Sequence, residues 1–266
     1  RFCMDVISVA VPCYNEEAAL FPFFEVLTDV AGKMHEVEFA FTNYAPYKDI
    51  DEAYVTDAHP YMPQYLDEQY PHIVFTPYLR MLEKEITGGK GSPLTRARRI
   101  YEYITHNVKY SYMREYRYMD NIPMYAALNH RGDCGVQALL FITLCRCAGI
   151  PCQWQTGLFS EPGDVGAHDW ARFYVAPYGW MLADLSFGGS AFREGDEERH
   201  AFYFGNLDCY RTIANRQFQA EFDPPKMHWR ADPYDNQLGE IEYEDRGLPF
   251  GDYRRSQTMV EFTLLD

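Results

Sequence analysis

The chain of 266 residues is 47% hydrophobic and 17% aromatic, with a formal net charge of −15. That length and composition suit a packed globular protein, either one large domain or a core with appendages. The acidity argues against a nucleic-acid partner, which asks for a basic face, and no apolar run approaches the roughly 18 residues a membrane span needs.

The acidity reads first as solubility and only second as affinity for cationic substrates. The opening Arg1-Phe2-Cys3-Met4-Asp5 shows no cationic cluster ahead of a long apolar stretch, so no secretion signal is expected. An initial arginine is also compatible with a trimmed leader. Seven cysteines stand at positions 3, 13, 134, 145, 147, 152 and 209. The odd count and irregular spacing do not form a disulfide scaffold, so a reducing, cytoplasmic setting is expected. Cys145, Cys147 and Cys152 lack a second cysteine pair or a histidine at zinc spacing. They read as core thiols, and neither metal nor cofactor is called for.

In chain order, Val6 to Val11 is a β-branched run typical of a buried strand, ended by Pro12. Glu16 to Lys33 has helical periodicity and Val37 to Phe41 alternates like a strand. Residues 42–78 are rich in Tyr, Pro and Asp, with little periodicity, and read as a wrapped irregular segment. Ser92 is a good N-cap with Pro93 at the first helical position. The spacing predicts a helix over Pro93 to Asn107 whose buried face holds Leu94, Ala97, Ile100, Tyr101 and Ile104. Val108 to Tyr112 reads as a short strand, and Tyr116 to Asn129 as an aromatic-rich approach. Gly188 to Gly205 reads as a charged loop. Phe222 to Asp266 reads as a tail packed across a core, and Phe202 to Tyr210 as a lid candidate for which core packing is the better reading.

The stretch that carries chemistry is Gly132-Asp133-Cys134-Gly135, followed by an apolar helix to Ala148 that stops at Gly149 and Pro151. A thiol in the first helical turn lies at the positive end of the helix dipole, which favours thiolate, the nucleophilic form. His168 opens a strand-like run, and a turn at Pro177-Tyr178-Gly179 leads to a second strand carrying Asp184. His168 could serve Cys134 as base, and Asp184 could fix the His168 tautomer and stabilise imidazolium. The backbone N–H groups around Cys134 are candidate oxyanion donors. Each residue alone is ordinary: a cysteine at a helix start is usually inert and an aspartate near a turn is common. A symmetric four-residue turn would leave Asp184 three residues short of the position opposite His168, about 10 Å along a strand, so a bulge or a longer loop is required for the three to meet.

These residues resemble the transglutaminase-like superfamily, which shares the papain-like cysteine protease fold. The resemblance covers residues 92–187. It rests on the helix from Ser92 to Ile104, on Gly132-Asp133-Cys134-Gly135 through Ala148-Gly149-Ile150-Pro151, and on His168-Asp169-Trp170, Tyr178-Gly179-Trp180 and Ala183-Asp184. It implies Cys134 as nucleophile, His168 as base and Asp184 as orienter. Members include cross-linkers, proteases, peptide N-glycanases and inactive forms, so it leaves the reaction open. No D-x-D-x-D-G calcium loop is present. Trp154, Trp170 and Trp180 are aromatic candidates for a substrate cleft, with core packing an equal reading. Separately, Ile7 to Glu17 resembles the opening of family-2 glycosyltransferases, a likeness running through Phe41 without the acidic metal motif that should follow. It reads as a fragment packed as structure.

The expected fold is α+β: a papain-like core with a central nucleophile helix on an antiparallel sheet. The expected division is an N-terminal appendage over 1–78 (the glycosyltransferase-like fragment over 1–41, the irregular segment over 42–78), a catalytic core over 79–225 and a packed tail over 226–266. The leading functional reading is a cysteine-dependent amide hydrolase or acyl transferase acting on a peptide or protein through a thioester. Hydrolysis is preferred over cross-linking. The competing readings are a non-catalytic peptide- or glycan-binding module on the same fold, and a sugar-nucleotide binder at residues 5–41.

Overall fold

The computed structural model describes residues 19–29, 34–43, 47–235, 237 and 239–264. The strand expected over Val6 to Val11 lies outside them. The elements in order are β1 (Ala19–Asp29), β2 (Met34–Thr42), α1 (Pro77–Thr87), α2 (Pro93–Asn107), β3 (Lys109–Tyr110), α3 (Ile122–Asn129), β4 (Arg131–Gly132), α4 (Cys134–Cys147), β5 (Cys152–Glu161), β6 (Asp164–Val175), β7 (Gly179–Ala183), α5 (Leu185–Glu194), α6 (Glu197–Phe202), β8 (Phe204–Gly205), β9 (Arg211–Asn215), β10 (Tyr253–Met259) and β11 (Thr263–Leu264). None of the helices among the described residues is long and apolar enough to cross a membrane.

The chain divides into two compact units, neither continuous in sequence. One gathers the chain up to residue 45, Thr156–His168 and everything from Asp208 on; the other holds Pro46–Gln155 and Asp169–Leu207.

In the first unit β1 is the shared strand. It pairs antiparallel with β2 along one edge, and on the other with β10 and then β11. Residues 19–29 are therefore extended, where the periodicity over Glu16 to Lys33 predicts a helix. A segment that pairs along both edges satisfies its backbone in the ladder, and that overrides local periodicity. β9 pairs antiparallel with the second half of β5. The loop from 223 to 248 is organised by two glutamates. Glu240 accepts from the amides of Ala231 (2.7 Å) and Asp232 (2.8 Å) and from Lys226 Nζ (2.8 Å). Glu242 accepts from the amides of Met227 and His228.

In the second unit β6 pairs antiparallel with β7, and β7 with β8. Helix α4 is the centre of this unit: every residue from Cys134 to Arg146 is buried. A helix that is apolar all round must be covered on all sides, and α1, α2, α3 and α5 do so. Against β6 it packs Phe141 edge-on to Phe173, centroids 5.7 Å apart. Asp133 caps it, its side chain accepting from the Val136 amide at 3.0 Å. At the other end Gly149 takes the left-handed conformation (φ 75°) that turns the chain into β5. Helix α2 starts and stops where its sequence signals place it. Ser92 Oγ accepts from the Thr95 amide, and Leu94, Ala97, Ile100, Tyr101 and Ile104 form the buried stripe.

Residues 188–205 depart from the loop expected of them, forming most of α5, then α6 and β8. The Gly188-Gly189 pair reads as a breaker, but α5 needs it for packing. A side chain at Gly188 would collide with the Tyr101 hydroxyl of α2. The lid candidate is also core in this unit, since Tyr203, Phe204 and Leu207 are buried.

Truncating the contact between α4 and β6 should be costly. Phe141→Ala is expected to lower unfolding stability by about 3–5 kcal/mol, the range for deleting a buried aromatic ring, measured by denaturant titration of tryptophan fluorescence.

Candidate active site

The start of α4 places Cys134 at the first helical position, with 8% of its surface exposed. Around its sulfur stand groups from several elements of the same unit. The thiol donates to Asp169 Oδ2 of β6 at 3.5 Å. The Tyr110 hydroxyl of β3 stands beside the thiol as well. Tyr116 donates from its hydroxyl to Asp133 Oδ1 at 2.6 Å, and that oxygen also caps the helix.

Gly135 makes this arrangement possible. A Cβ there would lie 2.8 Å from Asp169 Oδ2, 3.0 Å from the end of the Trp154 ring, and closer still to the Tyr116 hydroxyl. The absent side chain is the space through which a carboxylate and a phenol reach the helix start.

The electrostatic outcome is opposite to the one expected from the helix dipole. Burial pushes the Cys134 thiol well above its ordinary value, and the carboxylates of Asp169, Asp133 and Asp184 push in the same direction. The Asp169 backbone amide works the other way. The magnitudes decide it. A helix terminus contributes about 0.3–1 kcal/mol, less than one pKa unit, whereas desolvation of a buried group moves it by up to about 3–5 units. Cys134 therefore rests as a thiol. The same crowding raises Tyr110, Tyr116 and Asp133, each chiefly by burial.

Asp184 follows β7 directly and caps α5. Its Oδ1 accepts from the Phe187 amide at 3.0 Å and from Ser186 Oγ at 3.3 Å. The hairpin between β6 and β7 is one residue longer than a four-residue turn, with Val175 opposite Gly179 and Ala171 opposite Ala183. Continued by one residue, that register sets Asp184 level with Trp170. His168 is the last residue of its segment in the other unit, buried, with its ring edge-on to Phe159 of β5 at 6.1 Å.

Two of the three cleft tryptophans are core. Trp154 and Trp170 are 1% and 0% exposed, and the Trp170 indole donates to Gln155 Oε1 at 2.7 Å. Trp180 is half-buried in a cage of its own. Tyr65 meets it edge-on at 5.1 Å and the Arg172 guanidinium lies 4.4 Å over its ring. Cys145 and Cys152 are fully buried. They are neighbours, and burial raises Cys145 well above an ordinary thiol. Groups of His, Cys, Asp and Glu able to hold a metal ion are absent among the described residues.

Sequence reasoning assigned no role to Asp169, Tyr110 or Tyr116. Asp169 did leave a signal: it is an acid directly before Trp170-Ala171 in a strand run, a position that costs free energy when buried unless its charge is used.

Residues 80–185 match the transglutaminase-like superfamily. The chain thus carries a transglutaminase-like core, with an α+β fold in which a buried helix bearing Cys134 packs on an antiparallel sheet. That match begins at residue 80 and gives no support to the glycosyltransferase likeness at residues 5–41. No curated protein matches the chain.

Among solved structures, the periplasmic domain of TgpA from Pseudomonas aeruginosa aligns at 17% identity and a TM-score of 0.41, over 52% of this chain and 50% of that one. The chain therefore spans about half the length of that domain. A proposed cysteine protease from Cytophaga hutchinsonii aligns at 11% identity and a TM-score of 0.49, over 97% of this chain and 86% of that one. A proposed protease from Parabacteroides distasonis aligns at 12% identity and a TM-score of 0.31, over 63% of this chain and 41% of that one.

Gly135→Ala is expected to disorder the helix start. Its methyl group would displace Asp169 and Tyr116, costing about 1–3 kcal/mol as overpacking does. A thermal melt would show the loss, and an unchanged melting temperature would contradict the crowding described.

Proposed function

We propose that the protein is a cysteine-dependent amide hydrolase or acyl transferase acting on a peptide or protein, with Cys134 as nucleophile, His168 as general base and Asp184 as its orienter. The observation that carries this reading is the seat of Cys134. It is the first residue of a rigid, buried helix, inside the segment that matches the transglutaminase-like superfamily. Fixing a reactive atom on a buried element supplies the positional precision that covalent catalysis needs. His168 and Asp184 enter by their places in the family pattern.

The resting thiol shapes the chemistry. A nucleophile held neutral is deprotonated as it attacks, so proton transfer to His168 accompanies formation of the S–C bond to the acyl carbon. The oxygen of that carbon takes up negative charge, for which the Cys134 and Gly135 amides of the first turn are candidate donors. Collapse breaks the C–N bond, and His168 returns the proton to the departing amine. Water then attacks the thioester in the hydrolytic version, or a second amine in the transfer version.

One observation favours the alternative of a binding module on the same fold: Cys134 is 8% exposed, crowded by Asp169 and Tyr110. Intact-mass analysis after acid quench separates the two. With a peptide amide library the enzyme is expected to show an acyl adduct on Cys134 and release of free amine. Cys134→Ala should lose both completely; turnover surviving in that variant would remove Cys134 from the mechanism.

Asp184 supports a cleaner variant than alanine. Asparagine is as good an N-cap as aspartate, whereas alanine costs about 1 kcal/mol. Asp184→Asn is therefore expected to keep the thermal stability while lowering kcat by at least about 100-fold, because it cannot stabilise imidazolium. Full activity in Asp184→Asn would leave the residue only its cap.

A further inference from the structure

One oxygen of Asp133 serves two elements. Its Oδ1 accepts from the Val136 amide at 3.0 Å, which starts α4, and from the Tyr116 hydroxyl at 2.6 Å. One donor belongs to the helix and the other to the turn at residues 116–118, so the carboxylate is held from both. The fit is close: a Cβ on Gly135, the residue after Cys134, would overlap the Tyr116 hydroxyl. Burial, and then the carboxylates of Asp133 and Asp169, push the Tyr116 phenol well above its ordinary value, so it keeps its proton and remains a donor. The charged neighbours of Tyr116 in the chain, Glu115 and Arg117, pair with each other. Around the sulfur itself stand Asp133, Asp169 of β6, Asp184 ahead of α5 and Tyr110 of β3.

We propose that Tyr116 is a positioning residue for Cys134: its hydroxyl pins the Asp133 carboxylate to the first turn of α4 and draws that carboxylate's charge away from the sulfur. Tyr116 acts through Asp133 and not on the reacting atoms. A bond from a phenol to a carboxylate is charge-assisted, and it concentrates the negative charge on the oxygen that receives the proton. The Val136 amide donates to the same oxygen. Loss of the hydroxyl leaves the carboxylate with the cap alone. Its charge then bears more fully on the thiol, which gives up its proton less readily. In the catalytic reading a more tightly held proton means slower attack on the acyl carbon. The inference rests on Cys134 being the nucleophile, but what it asserts is a link from Tyr116 through Asp133 to the thiol, which holds whether or not the protein turns over.

The test is site-resolved alkylation followed by peptide mass spectrometry. The rate of Cys134 labelling by iodoacetamide is measured from about pH 6 to 11 in wild type, Tyr116→Phe, Asp133→Asn and the double variant. Phenylalanine keeps the ring and removes only the hydroxyl, and asparagine is as good an N-cap as aspartate. Tyr116→Phe is expected to raise the labelling midpoint by about half a unit and so to slow labelling at pH 7 about threefold. In the Asp133→Asn background the same change is expected to move the midpoint by less than about a third as much. A merely structural Tyr116 gives the opposite sign: a loosened site uncovers a thiol that is 8% exposed, and labelling quickens. An unchanged or lower midpoint in Tyr116→Phe overturns the proposal, as does a shift of equal size in both backgrounds. The buried Cys145 and Cys152 report on folding in the same digest, since they label only if the protein opens. Should Tyr116→Phe open, 3-fluorotyrosine in place of Tyr116 decides. It has nearly the same shape and a more acidic hydroxyl, hence a stronger donor, and is expected to speed labelling at pH 7 by about twofold; an equal or slower rate overturns the proposal. None of these measurements reads turnover. An inactive protein with this link intact would therefore refute the acyl-transfer reading and leave the role of Tyr116 standing.

Discussion

The constraint on which this protein depends is the burial of α4. A helix with apolar residues on every side cannot sit at a surface, so four helices and a strand are committed to covering it. The first turn of that helix is then a fixed point, and whatever stands there is placed to the accuracy of the core. Cys134 stands there. Its position follows from packing, but its ionisation does not. Taking a thiol out of water and facing it with Asp169 and Asp133 opposes the helix dipole, and burial is the larger effect. The element that fixes the nucleophile also suppresses it. Chemistry at such a centre requires the thiol proton to leave as the sulfur attacks.

What was legible in the sequence follows from where the local signal and the tertiary demand agree. Ser92 with Pro93 and the stripe through Ile104 announce α2 because capping and amphipathicity are local facts. The same holds for α4, whose N-cap, apolar run and terminal glycine lie in one stretch. The family resemblance matched over residues 80–185 is readable for the same reason, being carried by contiguous motifs. β1 failed because its conformation is set by partners far along the chain, Met34–Thr42 on one side and Tyr253–Met259 on the other. Helix α5 failed because Gly188 answers to Tyr101, a residue of another helix, and a glycine pair without that partner looks like a loop.

The site was half legible for a related reason. Position on a helix can be read from spacing, but the sign of a thiol's surroundings cannot. Asp169, Tyr110 and Tyr116 meet the sulfur only after β3, β6 and the turn at residues 116–118 are folded around it. The tryptophans show the converse. An aromatic residue beside a motif suggests a stacking surface, yet Trp154 and Trp170 fill the core and Trp180 is caged by Tyr65 and Arg172. In a chain with 44 aromatic residues, most must serve as packing material.

The Asp184 carboxylate has a consequence for how relatives of this protein are sorted. One of its oxygens is already committed to starting α5, binding the Phe187 amide and the Ser186 hydroxyl. A lineage that abandoned chemistry altogether would still be under selection to keep an aspartate or asparagine there, simply so that the helix begins in the right place. Survival of this residue in a set of homologues is therefore a weak criterion for separating working enzymes from retired ones, and replacement by asparagine, harmless to the helix, is the substitution that carries the information.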